Sequence, residues 1–150
     1  MLEIREYRSQ KEMENDFSLN ALIDFLHTHL DRFGDSKEAI KKCIEYAFST
    51  KEGNGGFVVG GFLEGELVGA VVMNETGMEG YIPENILVYV AVNSKFRNQG
   101  IGGKLVKYVI EKSSGDVKLH VEYDNPAKNL YERIGFENKY AEMRFIKEKK

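Results

Sequence analysis

The sequence predicts an α/β fold built on a mixed sheet, and three observations carry that expectation. Ile86–Val92 reads ILVYVAV, an unbroken apolar run rich in β-branched residues and bounded by polar ones, as expected of a strand buried on both faces. After a short polar linker comes a glycine-rich turn, then an amphipathic run in which Ile101, Leu105, Tyr108 and Val109 recur at close to helical spacing while Lys104, Lys107 and Glu111 fall elsewhere. Before and after this strand, turn and helix, the chain alternates between strand-like and helix-like segments.

Taken in order, Leu2–Tyr7 alternates apolar and charged residues and reads as a first strand. Phe17, Ala21, Leu22, Phe25, Leu26, His29 and Phe33 then recur at helical spacing until Gly34 and Asp35 break the pattern. Ser36 or Asp35 can cap a second helix whose apolar face is Ile40, Cys43, Ile44, Ala47 and Phe48. Gly53–Gly56 ends it. Phe57–Leu63 and Leu67–Met73 form a hairpin through Glu64, Gly65 and Glu66. Glu75–Asn85 is a loop leading into the Ile86–Val92 strand. Beyond the amphipathic helix, Ser113–Asp116 is a stop and Val117, Leu119 and Val121 make another strand. Asp124, Asn125 and Pro126 start a helix that ends at Gly135. Phe136–Ile146 supplies the last strand or strands, which could also pair with a second copy of the chain and so make a homodimer.

At 150 residues, 42% apolar and 30% charged, residues 1–150 form one soluble globular domain with a single substantial core. A net charge of −3 gives no basis for nucleic-acid binding. The one cysteine, Cys43, forbids an intramolecular disulfide and any cysteine-based metal site, and on an apolar helix face it is inert core. No zinc site is expected from His27, His29 and His120, because two histidines at i and i+2 diverge on a helix; His29, on the apolar stripe, belongs to the core or a cleft. With no apolar signal core and no run near the ~20 residues that cross a bilayer, no membrane association is expected and the location is cytoplasmic.

The turn carries the chemistry. It reads Arg97, Asn98, Gln99, Gly100, Ile101, Gly102, Gly103 and Lys104. The first N–H groups of a helix have no intrahelical acceptor and sit at the positive end of its dipole. Glycines keep β-carbons out of the way, Arg97 and Lys104 add formal charge, and the set suits a pyrophosphate. A Walker A loop is excluded because Lys104 is followed by Leu105 rather than a hydroxyl residue, and a dinucleotide fingerprint because its third glycine would fall at Leu105. What fits is Arg-x-x-Gly-x-Gly after a hydrophobic strand, as Arg97, Gly100 and Gly102. This resembles the acyl-coenzyme A pyrophosphate loop of the GCN5-related N-acetyltransferases, the GNAT superfamily. NPAKNLYERIGF, Asn125–Phe136, is similar to the superfamily's C-terminal signature at Ala127, Leu130, Tyr131, Gly135 and Phe136.

The resemblance implies the GNAT fold, a mixed and mostly antiparallel central sheet flanked by helices, and transfer of acetyl from acetyl-CoA to a primary amine by direct attack, with no metal. It implies that the backbone of Val90 and Val92 pairs with the pantetheine arm and that an N–H near Val92 polarises the thioester carbonyl. It casts Tyr131 as the acid that protonates the departing thiolate, uphill by about 2 kcal/mol on reference pKa values. Asn125 stands six residues before Tyr131 where the family often has an asparagine seven before, a position held here by Asp124. Either the loop is one residue shorter or that cofactor contact is absent. Many relatives carry an acidic residue in the key strand, and Ile86–Val92 has none. Glu84 before it and Glu122 after the next strand are the candidate bases, directly or through water, unless the amine arrives neutral. Asp31–Ser36 and Glu75–Asn85 should wall the acceptor groove, and their Asp31, Asp35, Glu79 and Glu84 favour a cationic acceptor. The rival reading is a non-catalytic acyl-CoA sensor or scaffold, which binds without turnover.

Overall fold

The computed structural model describes residues 1–148. Its elements run β1 (Glu3–Tyr7), α1 (Gln10–Met13), α2 (Leu19–Leu30), a 3-10 turn (Asp31–Phe33), α3 (Lys37–Phe48), β2 (Gly56–Leu63), β3 (Glu66–Glu75), β4 (Asn85–Val92), a second 3-10 turn (Ser94–Phe96), α4 (Ile101–Lys112), β5 (Val117–Lys118) and α5 (Ala127–Ile134). The strands form one curled sheet in the order β1-β2-β3-β4-β5, antiparallel up to β4 and parallel between β4 and β5. The mixed, mostly antiparallel sheet anticipated from the sequence is present.

Local chemistry explains the connections. The β2–β3 hairpin closes on two residues, Glu64 (φ 49°) and Gly65 (φ 81°), the pair of positive φ angles that a tight hairpin turn needs. Ser18 caps α2 by accepting from Ala21 N–H at 3.0 Å, and Ser36 caps α3 through Ala39 N–H at 3.2 Å. Of the two candidate caps for α3, Ser36 does the work and Asp35 is left for another partner.

Two cores lie on opposite faces of the sheet. On one, Leu22, Leu26, Ile40 and Ile44 of α2 and α3 pack on Val58, Val72, Tyr89 and Ala91. On the other, Leu105, Val106 and Val109 of α4 and Tyr131 of α5 pack on Phe57, Val59, Val71 and Leu87. α4 sits close to the sheet because Gly69 has no side chain: a Cβ there would lie 2.6 Å from Leu105 Cδ1. The strands that supply both faces are apolar throughout, which is why the alternation seen in β1 is missing from β2, β3 and β4.

The C-terminal expectation needs correction. Only Val117 and Lys118 of the strand anticipated through Val121 pair with β4, and Phe136–Ile146 forms no strand. Residues 137–148 carry no regular structure, and Tyr140, Met143, Phe145 and Ile146 are 80%, 90%, 90% and 80% exposed. A strand is held by a hydrogen-bonded neighbour, and no neighbour within the described residues runs beside this segment.

Candidate active site

β4 is paired with β3 along its whole length but with β5 only at Asn85 and Ile86. From Leu87 to Val92 its other edge has no strand partner, so the sheet parts there. The closed end is held from β4's own start. Asn85 is 2% exposed, and its Nδ2 donates to the carbonyls of Ser114 at 2.9 Å and Asp116 at 3.2 Å. Glu84 Oε1 accepts from Asp116 N–H at 2.7 Å, and that backbone bond holds its carboxyl below the usual carboxylate range. Glu84 therefore belongs to the closed end, and the structure does not bring it to the parted stretch or to Tyr131.

A β-bulge coincides with the parting. Val72 pairs with Tyr89 and Met73 with Leu87, leaving Val88 as the extra residue. Val88 and Tyr89 consequently both face α2 and α3, whereas Val90 and Val92 face α4. Tyr89, 6% exposed, donates its hydroxyl to Asp35 Oδ2 at 2.6 Å; burial first, and this bond second, push its pKa well above the phenol range.

β4 leads into the glycine turn. Asn98 (φ 64°) and Gly100 (φ 79°) both take the left-handed conformation, which turns the chain into α4. The first amide of α4 with an acceptor is Lys104, donating to Gly100 O at 3.1 Å. The N–H groups of Ile101, Gly102 and Gly103 precede it and point out of the helix end. A Cβ on Gly102 would meet Leu130 and Val92 at 3.6 Å, and one on Gly103 would meet Leu130 at 3.5 Å, both ordinary contacts. Gly100, by contrast, is required by its backbone. Asn98, Gln99 and Lys104 are exposed.

Arg97 does more than stand beside this turn. Its Nη2 donates to His29 O at 2.8 Å and so caps the end of α2. His29 Nδ1 accepts from Ser94 N–H at 3.3 Å, and its ring lies 4.6 Å from that of Phe25. Desolvation, then the charge of Arg97, lowers the His29 pKa and keeps the imidazole neutral at pH 7. His29 thus ties α2 to the turn.

α5 lies against α4 through Leu130 and brings Tyr131 into the same cluster as Val90, Val92 and Ile101. Tyr131 is 9% exposed, with its ring edge-on to Phe136 at 5.8 Å. Its hydroxyl has no hydrogen-bond partner among the described residues, yet no buried side-chain polar atom is left unpaired. The ring is therefore packed and the oxygen open to solvent. Burial pushes its pKa up to about 12. Asn125 Oδ1 accepts from Ala127 N–H at 2.9 Å and caps α5, while Asp124 pairs with Arg32 at 3.1 Å. Glu122 is exposed, with its backbone carbonyl accepting from Asn125 N–H.

Two cavities lie toward the closed end. One, of about 380 Å³, is bordered by Tyr46, Asn74, Thr76, Ile82, Ile86 and Lys118; the other, of about 250 Å³, by Met78, Glu79, Glu84 and Ser114 among others. The Glu75–Asn85 loop thus walls cavities at the closed end, whereas Asp31–Ser36 approaches the parted stretch through Tyr89. Sequence reasoning had no signal for the Tyr89–Asp35 bond, which joins residues 54 apart. It placed His29 in the core or a cleft but could not see its ties to Ser94 and Arg97.

Parted parallel strands, a bulge at the parting and a glycine turn that opens a helix beside it together make up the candidate site. The model of the acetyltransferase (GNAT) family matches residues 16–136, and the chain belongs to that family. No curated protein sequence matches it. Among solved structures, it is similar to a GNAT-family acetyltransferase from Streptococcus pneumoniae TIGR4, with 16% identity over 99% of this chain and 100% of that one, at a TM-score of 0.71. It is similar to an aminoglycoside N-acetyltransferase in complex with CoA, at 14% identity over 98% and 95% of the two chains and a TM-score of 0.68. An aminoglycoside acetyltransferase from an uncultured soil metagenomic sample, in complex with sisomicin, is 18% identical over 99% and 97%, at a TM-score of 0.63.

Proposed function

We propose that this chain is an acetyl-CoA-dependent N-acetyltransferase acting on a primary amine by direct attack. The observation that carries the reading is the unpaired edge of β4 from Leu87 to Val92, running straight into the open N–H groups of Ile101, Gly102 and Gly103. The residues present fit CoA. Open amides at a helix N-terminus, with Lys104 beside them, suit its pyrophosphate. A bare strand edge suits the amides of its pantetheine arm, which the backbone of Val90 and Val92 would hold. Arg97 serves two partners, the α2 carbonyl it caps and the phosphate side of the turn, and Asn98 and Gln99 contribute backbone. Asn125 keeps its Nδ2 for the cofactor while its Oδ1 caps α5.

When bound, acetyl-CoA supplies a thioester whose carbonyl carbon the amine attacks. An N–H near Val92 steadies the charge that gathers on the carbonyl oxygen. Tyr131 gives its hydroxyl proton to the departing sulfur and regains one from the proton the amine sheds. With the phenol at about 12 and a thiol near its reference value, that transfer is uphill by about 5 kcal/mol, more than the free groups imply. Tyr131 is fully protonated at neutral pH, as a donor must be. Glu84, engaged at the closed end, has no part in this scheme; an ammonium acceptor gives up one proton to water before it attacks, and the second, shed after attack, is the one that returns to Tyr131.

The acceptor is a cationic amine. Acidic Asp31 and Asp35 on the exposed turn between α2 and α3, and the net charge of −3, support this, as does the similarity to aminoglycoside acetyltransferases. Thiol release from acetyl-CoA, followed across polyamines, aminoglycosides, amino acids and lysine peptides, tests the proposal. Release above the background without acceptor is expected with at least one cationic amine. CoA binding with no release across the panel would favour the sensor or scaffold reading.

A further inference from the structure

We propose that the tail pairs as a strand with the tail of a second copy of the chain, antiparallel and centred on Met143, and so joins two copies about a two-fold axis. The pairing stands apart from the reaction and does not depend on it.

The tail exposes apolar side chains in a cluster. Of the eight large apolar side chains exposed among the described residues, Tyr140, Met143, Phe145 and Ile146 fall in one short run. Tyr81 and Tyr123 are of the scattered kind that any surface tolerates, whereas a cluster marks a contact. At roughly 150 Å² for each side chain, the four on each of two copies offer on the order of 1,200 Å², against the ~1,000 Å² that a specific interface needs.

The same run is built to be a strand. Tyr140, Phe145 and Ile146 favour extended backbone, and neither glycine nor proline interrupts the chain after Gly135. Residues 141–148 hold no turn or bend. Arg144 donates from Nε to Glu142 Oε2 and from Nη2 to Glu142 Oε1, both at 3.2 Å. Side chains two apart meet in this way along an extended chain, where they share a face. Tyr140, Glu142, Arg144 and Ile146 therefore lie on one face, and Ala141, Met143 and Phe145 on the other.

Charge selects the register. A two-fold antiparallel pairing about Met143 sets Glu142 directly opposite Arg144 of the second copy, and symmetry makes that ion pair twice. On the same face Tyr140 meets Ile146 of the second copy. On the other face Ala141 meets Phe145, and Met143 meets its own counterpart, so that face is apolar along its middle. Pairing centred on residue 142 would instead set Glu142 against Glu142, and pairing centred on residue 144 would set Arg144 against Arg144. A half-step shift brings Met143 opposite a charge. The like-charged pair that remains, Lys139 with Lys147, falls at the two ends and marks where pairing stops.

The first test is sedimentation velocity of the full chain over a range of concentrations, for wild type, Glu142→Arg, Arg144→Glu and the variant carrying both changes. All of these side chains are exposed, so the fold itself is not at stake. Wild type should be a dimer at micromolar concentration. Each single change opposes like charges twice and should weaken the dimer by roughly ten- to a hundredfold, and the double change should recover it to within about threefold. A wild-type monomer at every concentration, or a double variant as weak as the singles, would overturn the proposal. Oxidative cross-linking then reads the register. Met143→Cys puts its two thiols on the axis, where opposed Cα atoms about 4.5–5.5 Å apart lie within disulfide reach. It should form a covalent dimer. Ala141→Cys alone should not, whereas a mixture of Ala141→Cys and Phe145→Cys chains should, and the buried Cys43 does not compete. Equal cross-linking of every variant, or none of Met143→Cys, would refute the pairing about Met143.

Discussion

Replacing Gly100 separates what the glycine turn owes to its backbone from what it owes to small size. Gly100 holds φ 79° and ψ 7° just before the first turn of α4, and a Cβ there would meet no atom within 4 Å. The whole cost of Gly100→Ala is therefore conformational, about 1–2 kcal/mol for an L residue in the left-handed region. At roughly 2–4 °C per kcal/mol in a chain of this size, the melting temperature should fall by about 2–8 °C. If the turn escapes the strain by rotating, the N–H groups of Ile101, Gly102 and Gly103 swing with it. Losing one such bond to phosphate, at about 1.5–3 kcal/mol, raises the Kd for CoA by roughly tenfold or more. Gly100→Asn should recover most of both effects, since asparagine tolerates this conformation. Gly102→Ala is the control. Its methyl would rest at 3.6 Å from Leu130 and Val92, so stability should rise by up to about 1 kcal/mol and CoA affinity should change little. Urea unfolding and calorimetry with CoA read both quantities. Full affinity and stability in Gly100→Ala, with loss of both in Gly102→Ala, would refute the reasoning.

Tyr131→Phe should lower kcat by roughly 10²–10⁴-fold while leaving the urea midpoint and CoA affinity unchanged, because the hydroxyl bonds to no group among the described residues; an unchanged kcat with a good acceptor removes Tyr131 from the mechanism. His29 has a lowered pKa in the fold, so its contribution to stability is present above the ordinary imidazole value and is lost as pH falls from there through the folded value. An NMR titration should find its midpoint below the ordinary imidazole value, and a midpoint at or above that value would contradict the assigned burial. The exposed apolar side chains of the tail, Tyr140, Met143, Phe145 and Ile146, predict self-association. Full-length protein should sediment as a dimer, and Phe145→Lys should shift it toward monomer; a wild-type monomer would count against that prediction.

The parts of this protein that sequence made legible are those coded locally. Ile86–Val92 announced a strand buried on both faces, the glycine-rich run announced the turn into α4, and Pro126 and Gly135 bracketed α5. What stayed hidden depends on residues far apart in the chain. The Tyr89–Asp35 and Arg97–His29 bonds have no local signature, and the bulge at Val88 exists only in the pairing with β3. Glu84 stood at a plausible distance before β4 as a base, but its neighbour across the sheet, Asp116, claims the carboxylate. Phe136–Ile146 reads as a strand because its apolar residues report what a segment could bury. They do not report whether a partner strand is present to bury it.

The central claim is that the parted edge of β4 and the turn before α4 form one binding surface for CoA, and amide hydrogen exchange with and without CoA tests it most directly. The account predicts that CoA slows exchange at the amides of the Leu87–Val92 stretch that face the gap and at Ile101, Gly102 and Gly103, groups that lack a protein acceptor on the open side, with little change along β1 and β2. Slowing confined to the closed end around Glu84 and Ser114, or no slowing at saturating CoA, would contradict it.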